Sequence, residues 1–244
     1  PSAPRLGDVH VLSHNPLIVR VENFIREAEV AELLRIGTPL LARSRLESSD
    51  GAGNVSLHRT STTAFIDGEA AFSQNVINVL KRASVFTGLD WRHSENLQLV
   101  QYARGERFAP HCDWFKPHDF TADGSGRGRR PGGQRVYSCL IYLNDEFEGG
   151  ATHFPALNIT VQPRARSALL FRNVDASAAL GRRDNPRGQD GDARTIHEGR
   201  AVLSGQKLVA NLWVLEQPFE TYRAAERAEL SIIVRNYKVN YKVN

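Results

Sequence analysis

Three side chains have the types and spacing of a metal centre. His111 and Asp113 are separated by one residue in the segment His-Cys-Asp. In a strand, residues i and i+2 point to the same face, so this imidazole and this carboxylate project together. His197, on a later strand, supplies the histidine that completes a facial triad. Such a triad leaves three positions of an octahedral ferrous ion open for substrate and O₂. By itself, His-x-Asp also occurs as an ordinary polar pair on a strand.

A lysine in an apolar strand strengthens the metal-centre interpretation. Lys207 opens the segment Leu208–Leu215 and shares one face with Val209, Asn211 and Trp213. The opposite face is entirely apolar and is expected to meet the core outside a barrel. Inside the barrel, the lysine is costly unless an anion pairs with it. Tyr102, on the neighbouring strand, is placed to give that anion a second hydrogen bond. The alternative is a lysine whose stem lies along the strand end with its ammonium in water.

The N-terminal part of the chain is predicted to contain the helices that support the site, and the part that follows is predicted to contain the strands that carry it. Val9–Leu12 and Leu17–Val21 are predicted strands, and a helix is predicted over Arg26–Ala42. Arg59–Ile66 is β-prone, and a second helix is predicted between the cap Asp67 and the terminating Gly88. These supporting helices occupy about residues 23–88.

After residue 96 the hydrophobic period changes to two, and we predict a barrel over about residues 96–216. Its eight strands are predicted at Leu97–Arg104, His111–Phe115, Arg135–Asn144, Ala151–Phe154, Ile159–Gln162, Ser167–Arg172, Arg194–His197 and Lys207–Leu215. Strands in a row without intervening helices indicate an antiparallel barrel or two-sheet jelly roll. The fold class is mainly β with flanking helices, in a single domain over residues 1–244. A helix at Phe219–Leu230 lies in the C-terminal part, residues 217–244.

Composition and charge exclude several classes of protein. Hydrophobic residues make up 41% and charged residues 24% of the 244 residues. These values exclude disorder, collagen and coiled coil as descriptions of the whole chain. No apolar stretch approaches the length of a membrane span. Two cysteines, Cys112 and Cys139, form no disulfide scaffold, and free thiols are expected. The formal net charge is +4, but the arginines at 127, 129 and 130 lack an aromatic platform, so nucleic acid is not an expected partner.

At this point the sequence resembles the prolyl 4-hydroxylases, which are Fe(II)- and 2-oxoglutarate-dependent dioxygenases with a double-stranded β-helix fold. The resemblance covers roughly Leu97–Leu215, and its motifs are specific in combination. They are Tyr102, Phe108-Ala-Pro-His-Cys-Asp113, Gly132-Gly-Gln-Arg135, Tyr142-Leu143, Gly149-Gly-Ala-Thr-His-Phe-Pro155, His197 and Gly205-Gln-Lys207 with Trp213.

The resemblance implies a role for each matching residue. It makes His111, Asp113 and His197 the iron ligands. Lys207 is implied to bind the distal carboxylate of 2-oxoglutarate with help from Tyr102. Ser138 stands where the family usually has threonine, which keeps a hydroxyl near the same carboxylate.

Further residues match the family's substrate region, with departures. Arg135 and Trp213 match positions that border the peptide groove in relatives. Phe108 replaces a tyrosine associated with substrate binding. The position of Lys207 indicates the collagen- and plant-type branch. The implied reaction hydroxylates peptidyl proline to 4-hydroxyproline, with O₂ as co-substrate, succinate and CO₂ as co-products and ascorbate as reductant.

Alternatives remain open at this stage. One alternative is a dioxygenase of the same fold that acts on another peptide residue, a small metabolite or a nucleobase. The other is a non-catalytic binding module that keeps the fold without turnover. The chain starts at Pro1, so a trimmed leader or anchor is compatible with the sequence, which does not determine the compartment. Eukaryotic relatives work in the secretory pathway and bacterial relatives in the cytoplasm, and the resemblance favours the ER lumen. The oligomeric state stays open.

Overall fold

The computed structural model describes residues 7–46, 54–55, 58–116, 132–174 and 191–222. The arginines at 127, 129 and 130 lie outside these ranges, as does most of the predicted C-terminal helix, of which residues 220–222 are described and helical. Within the described ranges, no helix is long and apolar enough to cross a membrane.

Sixteen strands and two α-helices are described, and several short 3-10 turns connect them. The helices are α1 (Glu27–Gly37) and α2 (Gln74–Thr87). The strands are β1 (Val9–His14), β2 (Leu17–Val21), β3 (Ala42–Arg43), β4 (Arg45–Leu46), β5 (Asn54–Val55), β6 (Thr62–Phe65), β7 (Gln98–Tyr102), β8 (Phe108–His111), β9 (Arg135–Tyr142), β10 (Phe147–Gly149), β11 (Thr152–Phe154), β12 (Ile159–Val161), β13 (Ala168–Arg172), β14 (His197–Gly199), β15 (Val202–Gly205) and β16 (Lys207–Leu215).

Two antiparallel sheets form the body of the fold. The major sheet has the order β1-β2-β13-β9-β16-β7-β6-β3, and the minor sheet has the order β12-β11-β14-β8. Side chains from both sheets, including Tyr142, Phe154 and Phe171, pack together as one buried cluster. The sheets therefore face each other, and the predicted mainly β, double-stranded β-helix architecture is confirmed. In the described part of the chain the strands form separate sheets rather than one closed barrel.

The helices cover the outer face of the major sheet. Leu33 of α1 and Val79 and Leu80 of α2 share a buried cluster with Ala210 and Leu212 of β16. The alternation predicted for β16 is thus confirmed, because its apolar face meets the helices while its other face lies between the sheets. Because both helices pack on the outer face of the major sheet, the cleft between the two sheets is not filled by them.

Both helix boundaries differ from the predicted ones. The first helix ends at Gly37 and continues as a 3-10 turn, Thr38–Leu40, because proline at position 39 has no N–H to donate within an α-helix. The second begins later than predicted. Asp67 precedes a 3-10 turn, and Ser73 is the actual cap, with its Oγ accepting from Val76 N–H. The predicted terminator is confirmed, since Gly88 has a φ of 69°.

Two of the predicted strands are wrong at the site. The segment predicted as His111–Phe115 forms β8 at Phe108–His111 instead, so Asp113 lies beyond the strand. The segment predicted as Arg194–His197 is a 3-10 turn, Ala193–Thr195, followed by β14. The reason is non-local: β8 and β14 pair with each other, and the register of that pair decides where each one starts and ends. β10 and β15, which pair together, were not predicted at all.

Candidate metal and anion site

Three side chains meet at one end of the cleft between the sheets. His111 ends β8 and His197 begins β14, and the two residues lie directly opposite each other in the antiparallel register. One ligand atom from each of His111, Asp113 and His197 lies within 4.8 Å of the others. The Asp113 carboxylate oxygens lie 3.7 Å from His111 Nε2 and 3.8 Å from His197 Nε2. The structure therefore brings the predicted triad together.

Both imidazoles are oriented by backbone carbonyls. His111 Nδ1 lies 2.9 Å from Ala109 O, and His197 Nδ1 lies 3.0 Å from Thr195 O. A carbonyl only accepts, so each Nδ1 must donate a proton, and Nε2 is the ring nitrogen left to face the cluster. Burial first, and then the neighbouring His197, lower the pKa of His111 to about 3. His111 is thus neutral at pH 7, as metal ligation requires.

Asp113 is held as a carboxylate. Burial alone would raise its pKa, but His197, His111 and the Ser138 hydrogen bond outweigh burial, and the pKa is lowered to about 2. Ser138 Oγ donates to Asp113 Oδ2 at 2.5 Å. This contact differs from the expectation that Ser138 lies beside the distal carboxylate of a co-substrate, because its hydroxyl proton is already donated to Asp113. Two imidazoles and one carboxylate form the facial set preferred by non-haem Fe(II).

A buried lysine lines the same cavity as the triad. Lys207 is 4% exposed and lies directly opposite Tyr102 in the β16–β7 register. Its Nζ donates to Gly150 O at 2.5 Å and lies 5.5 Å from the ring centroids of Tyr102 and Tyr142. No described carboxylate forms an ion pair with it, and burial lowers its pKa to about 7. A cation buried without a counter-charge is the chemistry of an anion site.

The turn that supplies the lysine's acceptor requires glycine. Gly150 has a φ of 64°, and a Cβ there would lie 3.0 Å from Lys207 Cδ. Any side chain at this position would both strain the backbone and push the lysine stem from its place. Nearby, the hydroxyls of Tyr142 and Thr152 hydrogen-bond at 2.8 Å and line the cavity.

An aromatic ring and a buried guanidinium flank the triad. The Phe108 ring stacks on the His111 imidazole, with centroids 3.5 Å apart and planes at 12°. The Arg59 guanidinium lies 4.9 Å from the centroid of Phe108. Arg59 is 7% exposed and donates to the neutral acceptors Ser61 Oγ and Gln98 Oε1. The sequence prediction missed Arg59, although Arg59 and Ser61 have the i, i+2 spacing of one strand face.

Arg135 and Trp213 form one unit at the outer side of the site. The Arg135 guanidinium lies 3.9 Å from the centroid of the Trp213 ring. It also pairs with both oxygens of Glu95, at 2.6 and 2.8 Å. Trp213 is 6% exposed, and its Nε1 has no hydrogen-bond partner among the described residues. The structure thus brings the two predicted residues together, and it adds Glu95, which no local sequence signal indicated.

A groove of about 710 Å³ opens from the triad towards solvent. Its described lining includes Arg59, Phe65, Phe108 and Trp213. Phe65 is exposed although it is a large apolar residue. A groove of this volume is far larger than a single small co-substrate needs.

The comparisons with known proteins identify relatives with one chemistry. A sequence profile of the 2OG-Fe(II) oxygenase superfamily matches residues 97–215. The chain is similar to a probable prolyl 4-hydroxylase of Arabidopsis thaliana, with 28% identity over 226 residues, 84% of this chain and 71% of that protein. It is also 30% identical, over 219 residues, to the prolyl 4-hydroxylase subunit alpha-1 of Rattus norvegicus. That alignment covers 88% of this chain but only 37% of the longer subunit.

A solved structure has a similar fold. It is the 2OG complex of a viral collagen prolyl hydroxylase from Paramecium Bursaria Chlorella virus-1. The TM-score is 0.57 at 20% identity, with 81% of this chain and 94% of that chain covered. The likeness at this identity supports the double-stranded β-helix architecture described above.

Proposed function

We propose that this chain, which belongs to the prolyl 4-hydroxylase family of Fe(II)- and 2-oxoglutarate-dependent dioxygenases, hydroxylates a proline of an extended peptide to 4-hydroxyproline. Succinate and CO₂ are the co-products, and ascorbate serves as the reductant that is typical of the family. One observation carries the proposal. A facial triad and a buried lysine without a described carboxylate partner line the same cavity.

The donor set fits Fe(II). In this proposal His111, Asp113 and His197 hold the ion through two Nε2 lone pairs and one carboxylate oxygen. The single negative charge of Asp113 leaves the dication partly uncompensated, which favours a further anionic ligand. When bound, the iron supplies O₂ activation and the oxidation of an unactivated C–H bond. The chain's own residues supply position, charge and exclusion of water.

The chemistry of the cavity lining also suits 2-oxoglutarate. Lys207 is proposed to pair with its distal carboxylate, and Tyr102, directly opposite on β7, is proposed to donate to the same group. The lysine gains the counter-charge that the described protein does not give it, which is the strongest reason to place a dicarboxylate here. Ser138 is not proposed to contact this carboxylate. Its hydroxyl donates to Asp113, so we propose that Ser138 supports this metal ligand instead.

The outer groove is proposed to take the peptide. A polyproline-like chain loses little conformational entropy on binding, so an open groove is sufficient. Trp213 offers a ring face for a proline, and Phe108 contributes apolar contact beside the iron. Arg135 is proposed to donate to a peptide carbonyl. Since Glu95 and Trp213 already hold its guanidinium, Arg135 enters the complex preorganised.

The test measures product rather than binding. The purified protein is incubated with Fe(II), 2-oxoglutarate, ascorbate and either a proline-rich peptide or a panel of small metabolites, and mass spectrometry locates any gain of one oxygen. We expect succinate release and oxidation at proline C4 of the peptide. Oxidation of a metabolite or of another residue would overturn the proline assignment. If no iron-dependent succinate release is detected under any condition, the result would favour a non-catalytic binding module.

A further inference from the structure

We infer that a buried hydrogen-bond path through Ser138, Asn173 and Thr195 fixes Asp113 and His197 relative to each other and so sets the affinity of the site for its metal ion. The inference rests on the proposed function, because it takes the triad to be the metal centre. Asp113 creates the need for such a path. It lies beyond the end of β8, so no strand pairing holds it in place.

The first arm of the path leads to the carboxylate. Ser138 Oγ donates to Asp113 Oδ2 at 2.5 Å, and Asn173 Nδ2 donates to Ser138 Oγ at 2.9 Å. A carboxylate only accepts, so the single hydroxyl proton of Ser138 must point to Asp113. The Ser138 oxygen must then accept from Asn173, which also fixes the orientation of the amide. Ser138 and Asn173 are fully buried, so water is not available to replace either bond.

The second arm starts from the backbone of Asn173 and ends at the other ligand. Asp192 N–H donates to Asn173 O at 2.8 Å. The turn that precedes β14 is closed by two bonds to Asp192 O, one from Thr195 N–H at 2.9 Å and one from Thr195 Oγ1 at 2.8 Å. Thr195 O then accepts from His197 Nδ1 at 3.0 Å. Asn173 is therefore the residue at which the supports of the two ligands join, one through its side chain and the other through its carbonyl.

The side chain of Asn173 has a feature that packing does not explain. Its Oδ1 is buried and has no hydrogen-bond partner among the described residues. An apolar residue of similar size would avoid this cost. The amide is useful as a donor to Ser138, and that donation strengthens the bond from Ser138 to Asp113. Asn173 and Thr195 thus act as positioning residues, since neither belongs to the triad itself.

The experiment measures metal affinity in the absence of turnover. The apo-protein is titrated calorimetrically with Mn(II), and Co(II) absorption reports the coordination geometry. Asn173→Leu cuts the first arm, and the near-isosteric Thr195→Val removes the side-chain bond of the second arm while the backbone bond from Thr195 N–H to Asp192 O remains. Ser167→Ala is the matched control, because Ser167 is also fully buried and its Oγ donates to Arg164 O at 2.8 Å, three residues away as in Thr195. Thermal unfolding of each apo-protein is recorded in parallel.

We expect both variants to bind Mn(II) about 10-fold more weakly than wild type, at the lower end of the effect of losing a direct outer partner of a metal ligand, because each variant removes the support of such a partner. Their Co(II) spectra should change, while Ser167→Ala should keep wild-type affinity and spectrum. Equal affinity in Thr195→Val and in the control would overturn the inference, even if Asn173→Leu did not fold. Affinity losses that only follow the loss of thermal stability across all three variants would overturn it too. If wild type binds no metal, the proposed function fails instead.

Discussion

Lys207 should make 2-oxoglutarate binding take up a proton above neutral pH. Burial without a described counter-charge lowers the pKa of Lys207 to about 7. A bound carboxylate reverses the effect, because an adjacent anion favours the ammonium. At pH 8 a group with a pKa near 7 is mostly neutral, so binding should take up about 0.9 proton; at pH 6 the uptake should fall to about 0.1. His111 and Asp113, with pKa values lowered to about 3 and about 2, do not titrate in this range.

Calorimetry in buffers of different ionisation enthalpy measures this uptake directly. The protein is loaded with Mn(II) in the absence of O₂, and 2-oxoglutarate is titrated at pH 6 and pH 8. Lys81→Met is the control, because Lys81 is an exposed lysine whose loss should leave the uptake unchanged. Tight binding at pH 8 without proton uptake would refute the assignment of the anion to Lys207.

The same lysine should leave a mark on stability. Its pKa is lower in the folded than in the unfolded protein, so the unfolded state binds more protons between about pH 7 and pH 10.5. The free energy of unfolding of the ligand-free protein should therefore rise with pH across that window, by up to roughly 1.4 kcal/mol per unit. Below pH 7 the cost of the buried charge is present in full. Lys207→Met should stabilise the protein at pH 6 and abolish 2-oxoglutarate binding, measured by urea unfolding and calorimetry.

Three further outcomes are expected. Asp113→Ala should abolish turnover and weaken Mn(II) binding, and full activity in this variant would exclude Asp113 as a ligand. Trp213→Ala should raise the KM for peptide and leave uncoupled 2-oxoglutarate decarboxylation unchanged; loss of the uncoupled reaction as well would show that Trp213 supports the site itself. Arg82→Ala should destabilise the fold by about 3–5 kcal/mol in urea unfolding, because it leaves the buried Glu29 carboxylate without the guanidinium at 2.8 Å.

Local sequence patterns predicted the residues of the site better than they predicted the ends of the strands. The inward face of β16 could be read from the alternation of four residues, since side-chain direction in a strand depends only on parity. The ends of β8 and β14 could not, because they depend on pairing between residues 86 positions apart, His111 and His197. Asp113 joins the triad as predicted, but it does so from a turn after the strand rather than from the strand itself.

Hydrogen-bond partners that come from distant segments could not be predicted from the sequence. Glu95 reaches Arg135, and Asn173 reaches Ser138, only because β13, β9 and β16 lie side by side. Each is an ordinary polar residue in its own segment. The resemblance predicted Ser138 as an anion contact, whereas the local geometry gives its proton to Asp113. The single-domain organisation over residues 1–244 stays a prediction.

The two faces of β16 have a consequence for how such a gene can change. One face packs against the helices, and the other carries Lys207 and Trp213 into the cleft. A substitution alters one face at a time, whereas inserting or deleting one codon between Lys207 and Trp213 turns part of the strand over. Such an event would send a charge or an indole into the core and a leucine into the cleft. We therefore expect the length of this strand to stay fixed while lineages explore new substrates, and diversification to proceed through the loops at the mouth of the groove.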